Sequence, residues 1–251
     1  MKKIKIILSL LLILTSGILS AQESVLKEAA TAYTQEDYAK AIELYEGILK
    51  NSGSSAEIYY NLGNAYFKAG KIAPAILNYE RALLNNPADK DTRFNLEIAN
   101  LRKVDKIEPV DEFFLTKWFR SVQNLLSVDT WASLGITCFL LLIGCLILYF
   151  FSKWMKLRKM GFYLGILMLL IVVFSNIFAW NQKKALDTRQ GAIIFAPTVT
   201  VKSSPDTSGT DLFVLHEGTK VFIKSSLGDW YEIEIEDGNV GWIRQKDLER
   251  I

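Results

Sequence analysis

"YYNLGNAYFKAGKIAPAILNYERALLNNP", residues 59–87, carries the most specific pattern in the chain. The small residues Gly63 and Ala75 stand among the large residues Leu62, Tyr66 and Tyr79. Pro87 ends the run, because proline cannot continue a helix. The pattern recurs at a fixed distance. Thirty-four residues earlier, "AYTQEDYAKAIELYEGIL" puts Ala41 and Tyr45 in the places of Ala75 and Tyr79, and Tyr38 in that of Ile72. Thirty-four residues later, "FNLEIANL" sets Asn95 and Leu96 on Asn61 and Leu62 and then stops, as a closing helix would. Self-similarity at this period marks a helical repeat array. So short a stack needs neighbours or caps to bury its faces.

The stretch resembles a tetratricopeptide repeat, through Tyr59, Leu62, Gly63, Tyr66, Gly70, Ala75, Tyr79, Ala82 and Pro87. The resemblance implies paired helices that cross closely at Gly63 and Ala75, over residues 22–101. It also implies a concave groove, lined by the first helix of each repeat, that binds peptides or helices. By position Tyr60, Asn64, Lys68 and Phe94 face that groove, with Tyr33 from the first repeat; Tyr60 and Phe94 suit packing between helices as well. The carboxylate-binding variant of the family needs several basic residues there, and Leu26 stands at one such position.

Outward from the repeats, the chain becomes apolar. Ala132–Phe151 and Gly161–Trp180 each run 20 residues without a charge, enough at about 1.5 Å per residue to cross a bilayer's hydrocarbon. Between them "SKWMKLRKM", 152–160, carries Lys153, Lys156, Arg158 and Lys159. Short basic loops stay on the cytoplasmic side, so this is expected to be the cytoplasmic turn of a transmembrane hairpin, with both flanking segments outside. Residues 1–21 agree: Lys2, Lys3 and Lys5, an apolar stretch and small residues read as a secretory signal, cut after Ala21 or kept as an anchor. Residues 102–112 are charged, contain Pro109 and read as a linker. In 113–130, Leu115, Trp118, Phe119, Val122, Leu125 and Leu126 recur at helical spacing. That predicts an amphipathic helix lying on the outer membrane surface or packing on the repeats.

From 191 to 251 the period changes to two. Tyr231, Ile233 and Ile235 alternate with Glu232, Glu234 and Glu236, and Asp237-Gly238-Asn239 supplies a hairpin turn. Several short strands in so few residues predict an all-β small barrel, and the glutamates read as its solvated face. The segment resembles a bacterial SH3 domain through Ser203-Ser204-Pro205, Glu217-Gly218-Thr219, Asp229-Trp230 and Gly241-Trp242-Ile243. Such domains commonly bind cell-wall peptides or proteins. Trp230 and Trp242 suit either the core or a ligand platform.

The repeats and the barrel carry net charges of −3 and −4, so neither offers nucleic acid a basic face. Cys138 and Cys145 lie seven apart inside one apolar run, which suits helix packing better than metal binding. His216 is the one histidine, with no cysteine or grouped carboxylate near it in sequence. No phosphate-cradling motif occurs. The expectation is a protein that is not an enzyme and uses no cofactor or metal. As a whole the order of segments resembles the BatE-like proteins of the Bacteroidota aerotolerance operon. That resemblance implies an inner-membrane scaffold whose partners are other Bat proteins or periplasmic protein segments. A cell-wall sensor or anchor, with peptidoglycan as the barrel's ligand, is the alternative.

Overall fold

The structure, a computed structural model, describes residues 23–53, 55–111 and 113–251; the expected signal segment lies outside them. They form two compact units. One holds the described residues up to Ala82, Asp91–Glu108 and Gly191–Ile251, and the other holds Leu83–Lys90 and Pro109–Gln190.

The repeats are five helices: α1 (described over 23–34), α2 (Tyr38–Ser52), α3 (Ala56–Lys68), α4 (Ile72–Asn85) and α5 (Lys90–Asn100). Helix α2 starts where the Asp37 carboxylate accepts from the Lys40 N–H at 3.1 Å, an N-cap. Its stripe Ala41, Ile42, Tyr45 and Ile48 packs with Ala29 and Ala32 of α1 and Ile58, Leu62 and Ala65 of α3. Each fully buried isoleucine or leucine here is worth roughly 1.5–3 kcal/mol. Helices α3 and α4 cross with almost no clearance, as the small residues predict. A Cβ on Gly63 would lie 2.7 Å from two carbons of the Tyr79 ring, and that ring is buried. The turn between paired helices needs a left-handed residue. Gly70 supplies it in the second repeat at φ 77°, and Glu36, 34 residues earlier, is held there at φ 63°.

The C-terminal segment is a seven-stranded antiparallel sheet: β1 (Gly191–Ile194), β2 (Thr198–Lys202), β3 (Asp211–His216), β4 (Lys220–Leu227), β5 (Trp230–Glu234), β6 (Val240–Arg244) and β7 (Leu248–Arg250). The strand order is β3-β2-β6-β5-β4-β1-β7. Leu215 from one edge strand and Leu248 from the other share one core, so the sheet wraps around it. Ile233 and Ile243 point inward from neighbouring strands, while Glu232 accepts from Ser225 and Glu234 pairs with Lys224 outside. The turn after β5 is held by the Asn239 N–H on Asp237, with Gly238 at φ 88°.

Within this unit the barrel and the repeats touch. The segment read as a linker carries much of the contact. One Asp105 oxygen accepts from the His216 N–H at 2.7 Å and the Thr219 hydroxyl at 2.6 Å; the other lies 2.7 Å from His216 Nδ1. Burial alone would raise the Asp105 pKa, but these hydrogen bonds outweigh it and hold the carboxyl below its ordinary value. Ile107 packs against the barrel core. Lys220 pairs with Glu80 at 2.7 Å, and Arg81 reaches Glu249 at 2.9 Å and the Arg250 carbonyl at 2.6 Å. Ile76 is buried, with its side chain against Gly218.

The second unit contains α6 (Phe114–Gln123), α7 (Val128–Phe151) and α8 (Met155–Thr188). Helices α7 and α8 are long and apolar enough to cross a membrane. They pack through small residues: a Cβ on Gly161 would lie 2.8 Å from the Cys145 carbonyl, and one on Gly165 3.6 Å from the Cys145 Cβ. Both cysteines are buried on this face. Helix α8 begins within the basic run, so Lys156, Arg158 and Lys159 belong to its first turns rather than to a loop. Ser127 caps α7. Gln182 Nε2 donates to the Gln123 and Leu126 carbonyls, and Trp131 Nε1 donates to that of Gln123. These bonds satisfy the orphan Gln123 carbonyl at the end of α6 and the Leu126 carbonyl in the turn that follows. Of its apolar stripe, Phe119 packs on Phe178 while Leu115 and Trp118 remain exposed.

Candidate binding pocket of the repeats

A cavity of about 310 Å³ opens among α1, α3, α4 and α5. Tyr33, Tyr60, Asn64, Phe67, Lys68, Tyr79, Asn95 and Ile98 line it. Residues 60, 64, 67 and 68 project from successive turns of α3 and so share one face. Tyr79 comes from the second helix of the repeat. Gly63 has no side chain to block it, and its hydroxyl passes through to donate to Asn64 Oδ1 at 2.7 Å. Asn95 Nδ2 donates to the same oxygen at 2.8 Å and to the Tyr60 hydroxyl at 3.4 Å. The Tyr60 and Tyr79 rings lie 6.4 Å apart. Arg102 sits over the Phe67 ring at 5.7 Å.

Burial pushes the Tyr79 and Tyr33 hydroxyls above the usual tyrosine range, so both stay protonated and can donate. Lys68 is exposed. Among the described residues, Asn64 Nδ2 and Asn95 Oδ1 have no partner. The lining thus offers an unused amide donor, an unused amide acceptor and several aromatic faces.

Of the residues expected from sequence, the structure gathers Tyr33, Tyr60, Asn64 and Lys68 at this cavity. Phe94 is not among the lining residues and is 62% exposed. Sequence reasoning missed Phe67, Tyr79, Asn95 and Ile98. Ile98 was within reach, because it stands 34 residues after Asn64 as Phe94 does after Tyr60. Tyr79 was hidden by its place on a second helix.

On the barrel, Trp230 and Trp242 are half-buried and outside the core. Trp230 pairs with Arg244, and Trp242 with Glu232. Strand alternation then puts 230, 232, 242 and 244 on the outer face, opposite Ile233 and Ile243. The Arg244 guanidinium lies 5.3 Å from the Trp230 ring centre. No group of three or more His, Cys, Asp or Glu side chains that could hold a metal occurs among the described residues.

Residues 56–89 match the family model of the tetratricopeptide repeat, and residues 197–249 match that of the bacterial SH3 domain. The chain carries both modules. Each is typically a binding module without catalysis of its own. No curated protein matches the sequence. The tetratricopeptide match covers α3 and α4 and so contains Tyr60, Asn64, Phe67, Lys68 and Tyr79 of the cavity. The SH3 match contains both outer-face tryptophans and His216.

Proposed function

We propose that the protein is a non-catalytic scaffold of the inner membrane that grips an extended segment of a partner protein in the repeat pocket. The observation that carries this reading is the pocket lining. An extended peptide needs one donor and one acceptor per residue, and Asn64 Nδ2 and Asn95 Oδ1 supply that pair beside tyrosine rings. Aromatic residues concentrate binding energy at such surfaces, with losses of about 2 kcal/mol or more on truncation. The likeness to BatE-like proteins makes other Bat proteins the partners to look for, in a complex linked to oxygen tolerance or envelope stress. The signal-like N-terminus and the basic run at 152–160 favour an arrangement with both soluble modules in the periplasm. The exposed Leu115 and Trp118 of α6 then meet the membrane surface.

Tyr60→Ala tests the pocket better than Asn64→Ala, because the Asn64 oxygen holds two internal hydrogen bonds and its loss would leave the buried Tyr79 hydroxyl unpaired. Co-purification from solubilised membranes should lose the partner with Tyr60→Ala while the hairpin and barrel stay folded. Undiminished co-purification would move binding away from the pocket.

A second reading has its own observation. Two tryptophans on the outer face of a bacterial SH3 domain suit a cell-wall ligand. Sedimentation with purified peptidoglycan, lost on Trp230→Ala with Trp242→Ala, would support it. Absence of the intact protein from the wall pellet would dismiss it.

A further inference from the structure

Four cations crowd the end of the α7–α8 hairpin: Lys153 between the helices, and Lys156, Arg158 and Lys159 in the first turns of α8. All four are exposed. The hairpin offers them no counter-charge. Between Asp129 and Asp187 the chain has no acidic residue. Those two lie 24 and 28 residues from Lys153 and Lys159, roughly 36 and 42 Å along the helices. Exposed charges are largely screened beyond about 8 Å at physiological salt, so neither acid reaches the cluster. Among the described residues none of the four pairs with a carboxylate. The helix does not call for them either. A cation in a helix's first turn opposes the helix dipole, and no acid stands in that of α8 to offset it. The anions that balance this turn come from outside the chain.

The surroundings identify the anion. Phe150, Phe151, Trp154, Met155 and Tyr163 stand exposed beside the cations. Apolar and aromatic side chains at one level with cations match the boundary of a bilayer, where acyl chains meet phosphates. The Arg158 guanidinium lies 5.7 Å from the Tyr149 ring centre. That contact positions the group and leaves N–H donors to spare, which suit two oxygens of one phosphate. Lys156 and Lys159, three apart on α8, are neighbours on its surface and add point charge.

We propose that this turn is a binding site for anionic phospholipid, whose headgroup phosphate is held by Arg158 and balanced by Lys153, Lys156 and Lys159. The site rests on the reading that the hairpin crosses a membrane. It requires neither a given orientation of the hairpin nor a partner protein.

The test uses the full chain in detergent micelles. It is mixed with equal amounts of phosphatidylglycerol and phosphatidylcholine and recovered by an affinity tag, and the retained lipids are extracted and counted. Wild type should retain phosphatidylglycerol over phosphatidylcholine by roughly tenfold or more. Replacing Lys153, Lys156, Arg158 and Lys159 by Gln should remove that preference. The control Lys183→Gln with Lys184→Gln, at the other end of α8, should keep it. Arg158→Lys preserves the charge and should lower retention severalfold, because a lysine cannot engage a phosphate bidentately. Washing the wild type in about 0.5 M salt should release the lipid, which checks the charge dependence without any variant. Phosphate in place of chloride at equal ionic strength should release no more. Equal retention of the two lipids, equal retention by wild type and the four-fold variant, or an equal loss in the control would each overturn the proposal. Unchanged retention in Arg158→Lys would overturn the grip assigned to Arg158, and selective release by phosphate would make the turn a free-anion site instead. Protease protection in spheroplasts reads the orientation separately, so a failure of that reading leaves the lipid result standing.

Discussion

The repeat pocket and the Asp105 contact are each built around one acceptor side chain, and they differ in its charge and in the sequence distance of its partners. At the pocket the acceptor is a neutral amide, Asn64 Oδ1, served by groups 15 and 31 residues away. At the barrel turn it is a carboxylate, served by groups 111 and 114 residues away. Two members of the first set have counterparts one repeat away, Tyr45 for Tyr79 and Asn61 for Asn95. The second occurs once, in a segment with no periodicity. The two also respond differently to solution conditions. A neutral amide network ignores acidity, whereas a carboxylate held ionised does not.

The largest expected effect would break the pocket from beneath. Gly63→Leu puts side-chain atoms where the buried Tyr79 ring now lies. It should cost roughly 1–3 kcal/mol or more, because well-packed neighbours cannot yield. Hydrogen exchange of the α3 and α4 amides in the full chain should accelerate strongly, with the barrel's inner strands little changed. Unaltered protection in α3 and α4 would contradict the close crossing.

A smaller effect separates the two acceptors by their charge. The folded Asp105 carboxyl titrates below its ordinary value, so its contribution to stability is fully present above the unfolded pKa and is lost as pH falls through the folded one. The stability difference between wild type and Asp105→Asn, from urea unfolding followed by tryptophan fluorescence, should be constant near neutrality and shrink below about pH 4. Asn64→Ala should show no such dependence. A difference for Asp105→Asn that stays flat into the acid range would mean that its charge contributes nothing.

The smallest effect concerns the turns. Glu36 sits in the left-handed region that Gly70 occupies in the next repeat. That conformation costs about 1–2 kcal/mol for a residue with a Cβ, part of which glycine gives back through its greater unfolded-state freedom. Glu36→Gly should therefore raise stability by about 0.5 kcal/mol, read as slower exchange at the α1–α2 turn. Faster exchange there would show that the Glu36 side chain supplies more than the strain removes.

How much of this was legible in sequence follows from the same contrast. The Gly63–Tyr79 crossing and the alternation of Ile233 with Glu232 and Glu234 each follow a period, the two apolar helices follow from uncharged length, and each is found where that signal puts it. Within the pocket, first-helix residues such as Tyr60 and Asn64 could be named because the resemblance to the tetratricopeptide repeat implies a groove lined by that helix. Tyr79 could not, since its ring belongs to the packing and only its hydroxyl to the cavity. Asp105 was least legible of all. Its neighbours Arg102, Lys103, Lys106 and Glu108 give the segment the composition of a solvated linker. Nothing local shows that one of these charges is buried against a turn more than a hundred residues away. Likewise His216 looked solitary only because its partner lies in another part of the chain.

The sequence distance between Asp105 and His216 also sets an order of events. Contacts between repeats and barrel join residues 111, 140 and 168 positions apart, across the whole apolar hairpin. A ribosome adding about 5–20 residues per second needs on the order of ten seconds to pass from Asp105 to His216. Through that interval the repeats exist without the barrel. Ile76 has no Gly218 against it, and Glu80 and Arg81 wait for Lys220 and Glu249. Helices α6, α7 and α8 are all synthesised before these groups can meet. Docking is thus the last step of assembly, and a nascent chain halted before residue 191 displays an apolar and charged face that the finished protein conceals.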